Sequence, residues 1–552
     1  MENTLFYDIE VFKHDALVIF KDINKNTVAE FHNNFLGLHD VINGKTLVSY
    51  NGYFYDDIIL HKMLEGWSVP QLKQLSDTMI HTKERQRIRF YKFRSLDCFQ
   101  QIDVSNPSLK KIEANSGKMI LESSVSFDID TPLSVEQLNE VKIYCGYDVD
   151  TLIDVYKMRV DTYFKPKEML VEMVNKPNCE RWNTTTLSAN ALVEKPVLKW
   201  YQIRIPEDWV GIVPDEVFDM WLEKDKGKIV IEDMDNEITF GFGGIHGNHI
   251  KKKYFENVHL LDVASLYPSL IINHNVLGTA TEKYKEILDE RLRIKHTDPE
   301  RQAALKLILN SVYGLLKSEY STLFNPKAST TICALGQICL FDLAKRLYSV
   351  GCEIVQLNTD GVAFIPSNDE YKRIWKEWEQ DYNLTLEEDV FAKLWQRDVN
   401  NYVGITPKGK LKTKGGDVNR YKEPAIFKNN SMRILDICLV EYLTKKVDPL
   451  TTILNHLPEP ELFMLVLQAG STFMGTYDAE NRPYQKINRV FAAKEGVCLY
   501  KKRKDGALVK YPDAPEKMYI FNRDLKEFNN FAEIVDINFY YQLALKRIDR
   551  WK

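Results

Sequence analysis

The chain has 552 residues, 44% of them apolar and 27% charged, with a formal net charge of −5. This is ordinary globular composition; it excludes a disordered, collagen-like or coiled-coil chain, and the length predicts three or four domains because single cores stop growing near ~250–300 residues. No apolar run reaches the ~20 residues of a membrane span, and Met1 to Glu10 carries acids without a basic leader region, so neither a membrane anchor nor a secretory signal is expected.

The eight cysteines are scattered and form no C-x-x-C pair, which argues against a disulfide framework or zinc cluster and fits the cytoplasm. The mild negative charge hides basic blocks. Residues 81–94 hold six Lys/Arg against Glu84, residues 401–430 seven against Asp417 and Glu423, and residues 500–510 five against Asp505. One block alone reads as a solvated face. Three of them beside acidic clusters predict a polyanion held near metal-binding carboxylates.

In chain order, residues 1–160 read as α/β. Leu5, Tyr7, Ile9 and Phe12 predict a first strand, Ala16 to Phe20 a second, and Leu47 to Tyr50 a third that breaks at Asn51-Gly52. Ser134 to Tyr156 reads as a helix opened by a Ser134/Gln137 capping box. Prolines at 165, 177, 196, 206 and 214 make 161–245 a connecting region of short helices and turns. Leu260 to Val263 reads as a short buried strand. Residues 298–317 read as a helix capped by Thr297 or Asp298, with Pro299 in its first turn. Residues 353–365 read as a hairpin turning at Asn358-Thr359-Asp360-Gly361. Beyond about 425 the pattern reads as mostly helical.

Four N-terminal acids share a pattern. Asp8 and Glu10, two apart on a strand, point to one face. Asp56 follows the turn at Asn51, with Asp57 beside it as an alternative. Tyr144 and Asp148, four apart on a helix, share a face. Carboxylates converging in this way would hold two divalent metals, activate a water and stabilise the leaving oxygen of a phosphodiester, with Tyr144 orienting the water. Tyr53, Phe54 and Tyr55 offer faces for stacked bases or for the core.

The central region holds a second set. Asp262-Val263-Ala264-Ser265-Leu266-Tyr267-Pro268-Ser269 runs from a strand into a turn, where a carboxylate and free backbone N–H groups can hold a metal and a triphosphate. On the 298–317 helix, Lys306, Asn310 and Tyr313 fall in one stripe, beside the apolar stripe Leu305, Leu309, Val312 and Leu316. Lys306 is placed to neutralise a triphosphate. Asp360 stands at the tip of the predicted hairpin. His246 and His249 form H-x-x-H without a companion acid or cysteine, and read as a turn or DNA contact in place of a zinc site.

These strings resemble a known family. Asp8-Ile9-Glu10, Asn51-x-x-x-Tyr55-Asp56 and Tyr144-x-x-x-Asp148 resemble the three motifs of the DEDDy-type 3′–5′ proofreading exonuclease. Asp262 to Ser269 resembles motif A of family B DNA polymerases, and Lys306-x-x-x-Asn310-Ser311-x-Tyr313-Gly314 resembles motif B. Asn358-Thr359-Asp360-Gly361 resembles motif C, with Asn358 in place of the first Asp and Gly361 in place of Ser. Phe242-Gly243-Gly244 resembles the Y-x-G-G segment without its tyrosine. Asn400-Asn401-Tyr402 with Lys412-Thr413-Lys414 resembles the K-x-Y region, with Asn where Lys is usual.

The resemblance implies an α/β and α+β multidomain fold, an RNase H-like exonuclease followed by a right-hand polymerase. The implied parts are exonuclease 1–165, connecting region and first palm segment 166–255, palm 256–284, fingers 285–330, palm 331–424 and thumb 425–552. It implies Mg²⁺, two per site with Mn²⁺ as a substitute. The metals would sit on Asp262, Val263 and Asp360 and on Asp8, Glu10, Asp56 and Asp148. Ser265, Leu266, Tyr267, Lys306, Asn310 and Tyr313 would bind the nucleotide, with Tyr267 as the steric gate against ribose. Asn51, Tyr55, Tyr402, Lys412 and Lys414 would bind DNA. Implied partners are primer-template DNA, single-stranded DNA and dNTPs, together with phage replication proteins of helicase-primase and single-strand-binding type. The short intervals from Asp262 to Lys306 (44 residues) and from Gly314 to Asp360 (46 residues), and a start close to the first motif, point to a compact bacteriophage-type enzyme in the host cytoplasm that lacks the insertions of protein-primed members. A rival is an exonuclease whose polymerase half has become a DNA-holding module.

Overall fold

The computed structural model describes residues 3–82, 86, 88, 91–193, 195–223 and 227–552. Five strands form the N-terminal sheet: β1 (Thr4–Val11), β2 (Ala16–Lys21), β3 (Thr27–His32), β4 (Thr46–Ser49) and β5 (Arg94–Asp97), in the order β3-β2-β1-β4-β5. β1 is antiparallel to β2 and parallel to β4, so it lies at the centre and is covered on both faces. Its alternation separates two cores. Leu5, Tyr7 and Ile9 pack with Ile58, Ile59 and Leu60. Phe6 packs on the opposite face with Val149, Leu152 and Tyr156. Asp8 and Glu10 share parity with Phe6, so they point toward the Val135–Arg159 helix. That helix starts at the expected capping box: Ser134 Oγ accepts from Gln137 N, and the Gln137 side chain accepts from Ser134 N.

The chain divides into two units, each described on its own: Met1–Lys165 with Pro424–Ile434 and Ile453–Tyr541, and Pro166–Glu423 with Leu435–Thr452 and Gln542–Lys552. The 425–552 segment is thus shared between them.

The second unit is built on nine strands: β6 (Lys228–Asp233), β7 (Asn236–Gly241), β8 (Gly244–His249), β9 (Tyr254–Val263), β10 (Glu353–Leu357), β11 (Gly361–Ile365), β12 (Leu386–Asp398), β13 (Asn401–Ile405) and β14 (Leu411–Lys414). Their order is β14-β13-β12-β9-β11-β10-β8-β7-β6. The predicted 353–365 hairpin is β10–β11, and the predicted short strand at 260–263 is the end of the longer β9. β6 to β8 occupy a stretch expected to be helices and turns. Met234 and Asp235 both take positive φ (53° and 59°) and close a tight hairpin without the usual Asn-Gly signal. The Pro326–Ser349 helix packs on β8, β10 and β11 and is buried at every position from Ala328 to Phe341, so its periodicity is hidden. The Pro299–Lys317 helix is capped by Asp298, whose carboxylate accepts from Arg301 N, as the sequence predicts. Asp436, fully buried, is neutralised by Arg420 and Arg547.

The C-terminal part of the first unit is not mostly helical. Seven strands form two small sheets, β15-β18-β21 and β17-β16-β19-β20: β15 (Leu465–Gln468), β16 (Phe473–Asp478), β17 (Pro483–Tyr484), β18 (Ile487–Val497), β19 (Leu499–Arg503), β20 (Leu508–Lys510) and β21 (Met518–Ile520). Ile487 to Ala493 is buried on both faces, and such a run carries no period that separates strand from helix. The basic block 500–510 falls on β19 and β20. Lys501 Nζ lies 4.9 Å from the Phe473 ring centre, and Lys502 Nζ 4.7 Å from that of Tyr477. Of the 81–94 block, Lys83, Glu84, Arg85, Arg87 and Arg89 lie outside the described residues. All eight cysteines are free thiols. No described helix is long and apolar enough to cross a membrane.

Candidate active sites

The N-terminal site gathers β1, the turn at 51–55 and the Val135–Arg159 helix. Carboxylate oxygens of Asp8 and Glu10 and Sγ of Cys145 all lie within 4.8 Å of one another. The Cys145 thiol donates to the Asp8 carbonyl at 3.5 Å. Asp56 opens the Asp56–Leu64 helix, and Asp148 arrives from the long helix with Tyr144 one turn before it. Burial pushes the Asp8 carboxyl up to about 8, with the charge of Asp148 adding to it and Lys110 opposing. Glu10 is raised well above the carboxylate range by burial and then by Asp8, Asp148 and Asp56. Asp56 is raised by burial, then by Asp8. Burial and then the charges of Asp148, Glu10 and Asp8 raise the Tyr144 phenol.

Like charges gathered out of water at this density are unstable without a cation. The four acids offer oxygen donors, which suit hard divalent metals; the Cys145 thiol beside them is pushed up by burial and donates to the Asp8 carbonyl, so it stays outside that donor set. The residues present therefore fit a metal pair.

Asp56 and Asp57 have different surroundings. Asp57 is fully buried and accepts from the Tyr7 and Ser95 hydroxyls, a structural duty, whereas Asp56 lies within the field of Asp8. Asn51 takes a left-handed conformation (φ 64°), and its N–H donates to Asp97 at 2.7 Å. Tyr53 N and Phe99 N donate to the same carboxylate, so Asp97 holds the turn. The Tyr55 hydroxyl pairs with Ser76 Oγ at 2.7 Å and its ring lies against the core, leaving Phe54 as the exposed aromatic.

Sequence reasoning missed Lys110. It lies on the Leu109–Asn115 helix, ion-pairs with Asp148, and stands 4.5 Å from the Tyr144 ring centre. Its partners are 34 and 38 positions away, and no local pattern signals the contact.

The second-unit site forms where β9 meets the β10–β11 turn. Gly361 pairs with Asp262 in register, and Val263 N donates to the Asp360 carbonyl at 2.7 Å. Asp262, near the end of β9, and Asp360, in the turn that leads into β11, are thereby brought side by side. Burial, then Asp360, Asp389 and Glu387, push the Asp262 carboxyl up to about 7, with Lys414 opposing. Glu387 faces Asp262 directly across from β12, and Asp389 follows on the same face. Sequence reasoning missed both acids, because only strand pairing brings them there. This acidic group also fits divalent metals by charge and oxygen donors.

Past Val263 the chain turns at Ser265, in the left-handed region (φ 58°), and Leu266 opens the Leu266–Asn273 helix. The Tyr267 ring centre lies 4.8 Å from that of Tyr313. Gly336 gives it room, since a Cβ there would sit 3.2 Å from Tyr267 Cε1. On the Pro299–Lys317 helix, Lys306 and Asn310 are exposed on one stripe while Leu305, Leu309, Val312 and Leu316 are buried. The Tyr313 hydroxyl and Lys317 Nζ both donate to the Phe242 carbonyl, at 3.0 and 2.9 Å, so the Phe242-Gly243-Gly244 stretch joins the site despite its missing tyrosine.

Tyr402 on β13 pairs with Lys414 on β14, and Lys414 Nζ lies 6.0 Å from the Tyr402 ring centre. Lys412 is ion-paired to Asp389 at 2.7 Å. His249 Nδ1 accepts from Lys251 N and Lys252 N, a turn role, and His246 Nε2 lies 3.3 Å from Thr359 Oγ1.

Two glycines have steric causes. A Cβ on Gly244, which has φ 137°, would lie 2.8 Å from the Thr359 side chain. A Cβ on Gly361 would lie 2.8 Å from both Asp262 Oδ1 and the Leu261 carbonyl. Gly361 is therefore required by the close approach of β9 and β11. The substitution Gly361→Ser is expected to displace Asp262. Overpacking of this kind costs about 1–3 kcal/mol. A shift of order 1 Å at a reacting group costs up to about a hundred-fold in rate. A lower melting midpoint and a slower reaction at this site check this; unchanged values of both would contradict it.

The raised acids also set a pH and metal dependence. Asp8 and Asp262 bind protons in the folded chain up to about 8 and 7, whereas unfolded carboxylates release them near ~3.9. The folded state therefore holds the extra protons, and metal-free stability falls as pH rises through this window. His61, His246, His249 and His274 are shifted the other way by burial, and act below the ordinary histidine pKa of about 6.5. The usable window is thus from about pH 7 to 8, where Glu113, also raised to about 8, contributes together with Asp8; above it the buried thiols, raised by burial, add to the fall. In a chelator the melting midpoint is expected to drop across it, and Mg²⁺ is expected to raise the midpoint more at the upper end. A flat profile with no metal response would contradict the two acidic sites.

No family model matches the chain. The chain is similar to DNA polymerase 1 of Aeropyrum pernix, with 24% identity over 455 residues, 71% of this chain and 44% of the relative. It is similar to the DNA polymerase of Pyrococcus glycovorans, with 24% identity over 407 residues, 64% of this chain and 50% of the relative. DNA polymerase 1 of Sulfolobus acidocaldarius matches at 23% over 229 residues, 33% of this chain and 26% of the relative. The chain spans half or less of the length of these curated relatives. Among solved structures, the family B DNA polymerase from the hyperthermophilic archaeon Pyrobaculum calidifontis aligns with 99% of this chain and 77% of that chain, at a TM-score of 0.46 and 13% identity.

Proposed function

We propose that this chain is a template-directed DNA polymerase of family B that adds dNMPs to a primer 3′-hydroxyl and carries its own 3′–5′ exonuclease, acting in replication of a phage genome. The observation that carries the reading is the pairing of Asp262 with Gly361, which sets Asp262 beside Asp360. Similarity to DNA polymerases over as much as 71% of the chain supports it. The β3-β2-β1-β4-β5 order, with β3-β2-β1 antiparallel and β1-β4-β5 parallel, supports an RNase H-like exonuclease fold.

In the polymerase site Asp262, the Val263 carbonyl and Asp360 would hold two divalent cations, Mg²⁺ or Mn²⁺ as a substitute, which when bound supply activation of the primer hydroxyl and stabilisation of charge on the pyrophosphate. Lys306, exposed on its helix, neutralises the triphosphate. Asn310 and Tyr313 lie under the incoming base and sugar. Ser265 and Leu266 present backbone N–H groups at the start of their helix, and Tyr267 closes on the sugar and rejects a 2′-hydroxyl. Tyr402, Lys412 and Lys414 hold the primer-template by its phosphates, which carry affinity without sequence information. In the N-terminal site Asp8, Glu10, Asp56 and Asp148 would hold the second metal pair, Tyr144 orients the attacking water, and Asn51 and the exposed Phe54 meet a single-stranded 3′ end, with Tyr55 supporting the turn from the core side.

A gel with a 5′-labelled primer on a longer template, in Mg²⁺, tests the reading. Lengthening with dNTPs and shortening without them is the expected result. Shortening in both lanes would favour the rival in which the polymerase half only holds DNA.

A further inference from the structure

At the N-terminal site one buried acid has no part in the reaction proposed above. Glu113 lies on the Leu109–Asn115 helix three residues after Lys110 and is fully buried. Its Oε1 accepts from Lys110 Nζ at 3.4 Å and from the Thr151 hydroxyl at 3.2 Å. Its Oε2 is out of reach of solvent and makes no hydrogen bond among the described residues. Burial pushes this carboxyl up to about 8, against the pull of Lys110. A carboxyl buried with one oxygen unpaired is costly.

Lys110 supplies a reason. A lysine is a point charge on a flexible four-carbon stem. Here the ammonium is held from several sides: Asp148 pairs with it, Glu113 receives it from its own helix, and the Tyr144 ring lies 4.5 Å away. With Asp148 as its sole acid partner, it would follow that side chain whenever Asp148 turned to other ligands. Glu113 gives it a fixed second anchor.

The helix itself is firmly seated. Arg489, fully buried, donates to the carbonyls of Ala114, Lys118 and Arg523. Asn115 is paired with Asn430 and Ile426, and Gly117 O accepts from Leu525 N at 2.9 Å.

We infer that Glu113 is a positioning residue, which holds Lys110 against the Asp8–Glu10–Asp148 group and through it fixes how Asp148 is presented. The inference rests on the exonuclease reading of this site. Residues that orient a metal ligand from behind typically change activity by about 10- to 100-fold when altered.

The test uses the full chain, a 5′-labelled single-stranded oligonucleotide and saturating Mg²⁺. Glu113→Gln is expected to lower kcat for 3′ shortening about ten-fold with KM within about two-fold. Its melting midpoint in a chelator should be no lower than the parent's. Glu113→Asp, which keeps the charge, should recover part of the loss. In a Lys110→Met background Glu113→Gln should add less than about two-fold, because the two act as one unit. A parent chain that does not shorten DNA overturns the exonuclease reading, and this inference with it. A parent that does, with Glu113→Gln equally fast or with multiplicative losses in the double variant, overturns the inference alone.

Discussion

Asp360→Ala is expected to lower primer extension by at least about a thousand-fold, equivalent to about 4 kcal/mol of transition-state stabilisation, while 3′ shortening of single strands persists. Asp360 stands in the turn between β10 and β11, and it is the backbone carbonyl of this residue that bonds Val263 N. Removing the carboxylate therefore leaves the strand junction intact. It also removes the charge that, after burial, contributes most to raising Asp262. Asp262 then ionises more readily, but one oxygen donor group of the site is lost. Single-turnover extension and shortening, measured on one preparation, give the answer. Extension within about ten-fold of the parent would show that Asp360 is not a metal ligand in the reaction. Such a result would remove the geometric basis of the polymerase site.

The second large effect is expected at the other site. Asp8→Ala combined with Glu10→Ala should abolish shortening, again by about a thousand-fold or more, with extension retained. The same change should raise the melting midpoint of the metal-free chain. Asp8 and Glu10 are each raised by burial and by neighbouring acids, which is a statement that the folded chain disfavours their charge. Activity lost with stability gained is the signature of a site held under electrostatic strain for function. Loss of activity together with a lower midpoint would mean that the acids are structural.

Much of this arrangement was legible in the sequence where the signal is local. The Ser134/Gln137 box and the Asp298-Pro299 start announce their helices because capping is a matter of a few adjacent residues. The Asn358–Gly361 turn announces β10–β11 for the same reason. The parity of Asp8 and Glu10 and the four-residue step from Tyr144 to Asp148 place them on single faces, and the structure brings those faces together. What escaped is non-local. Lys110 meets Asp148 from another helix, and Glu387 meets Asp262 through strand pairing. β6 to β8 escaped because Met234-Asp235 is an uncommon turn pair. The strands from β15 to β21 escaped because a run buried on both faces, such as Ile487 to Ala493, carries no period. Gly361, which looked like a departure from the family string, is explained by the 2.8 Å that separates its missing Cβ from Asp262 and Leu261.

The central claim is that Asp262 and Asp360, with Asn358 in place of an acid, still make a working polymerase site. Its most direct test is addition of one nucleotide. A labelled primer on a template with a known next base is mixed with the chain and Mg²⁺ in four reactions, each with a single dNTP. Growth by one nucleotide only with the complementary dNTP is the result this account predicts. No growth with any of the four, from a preparation that still shortens the primer, would contradict it.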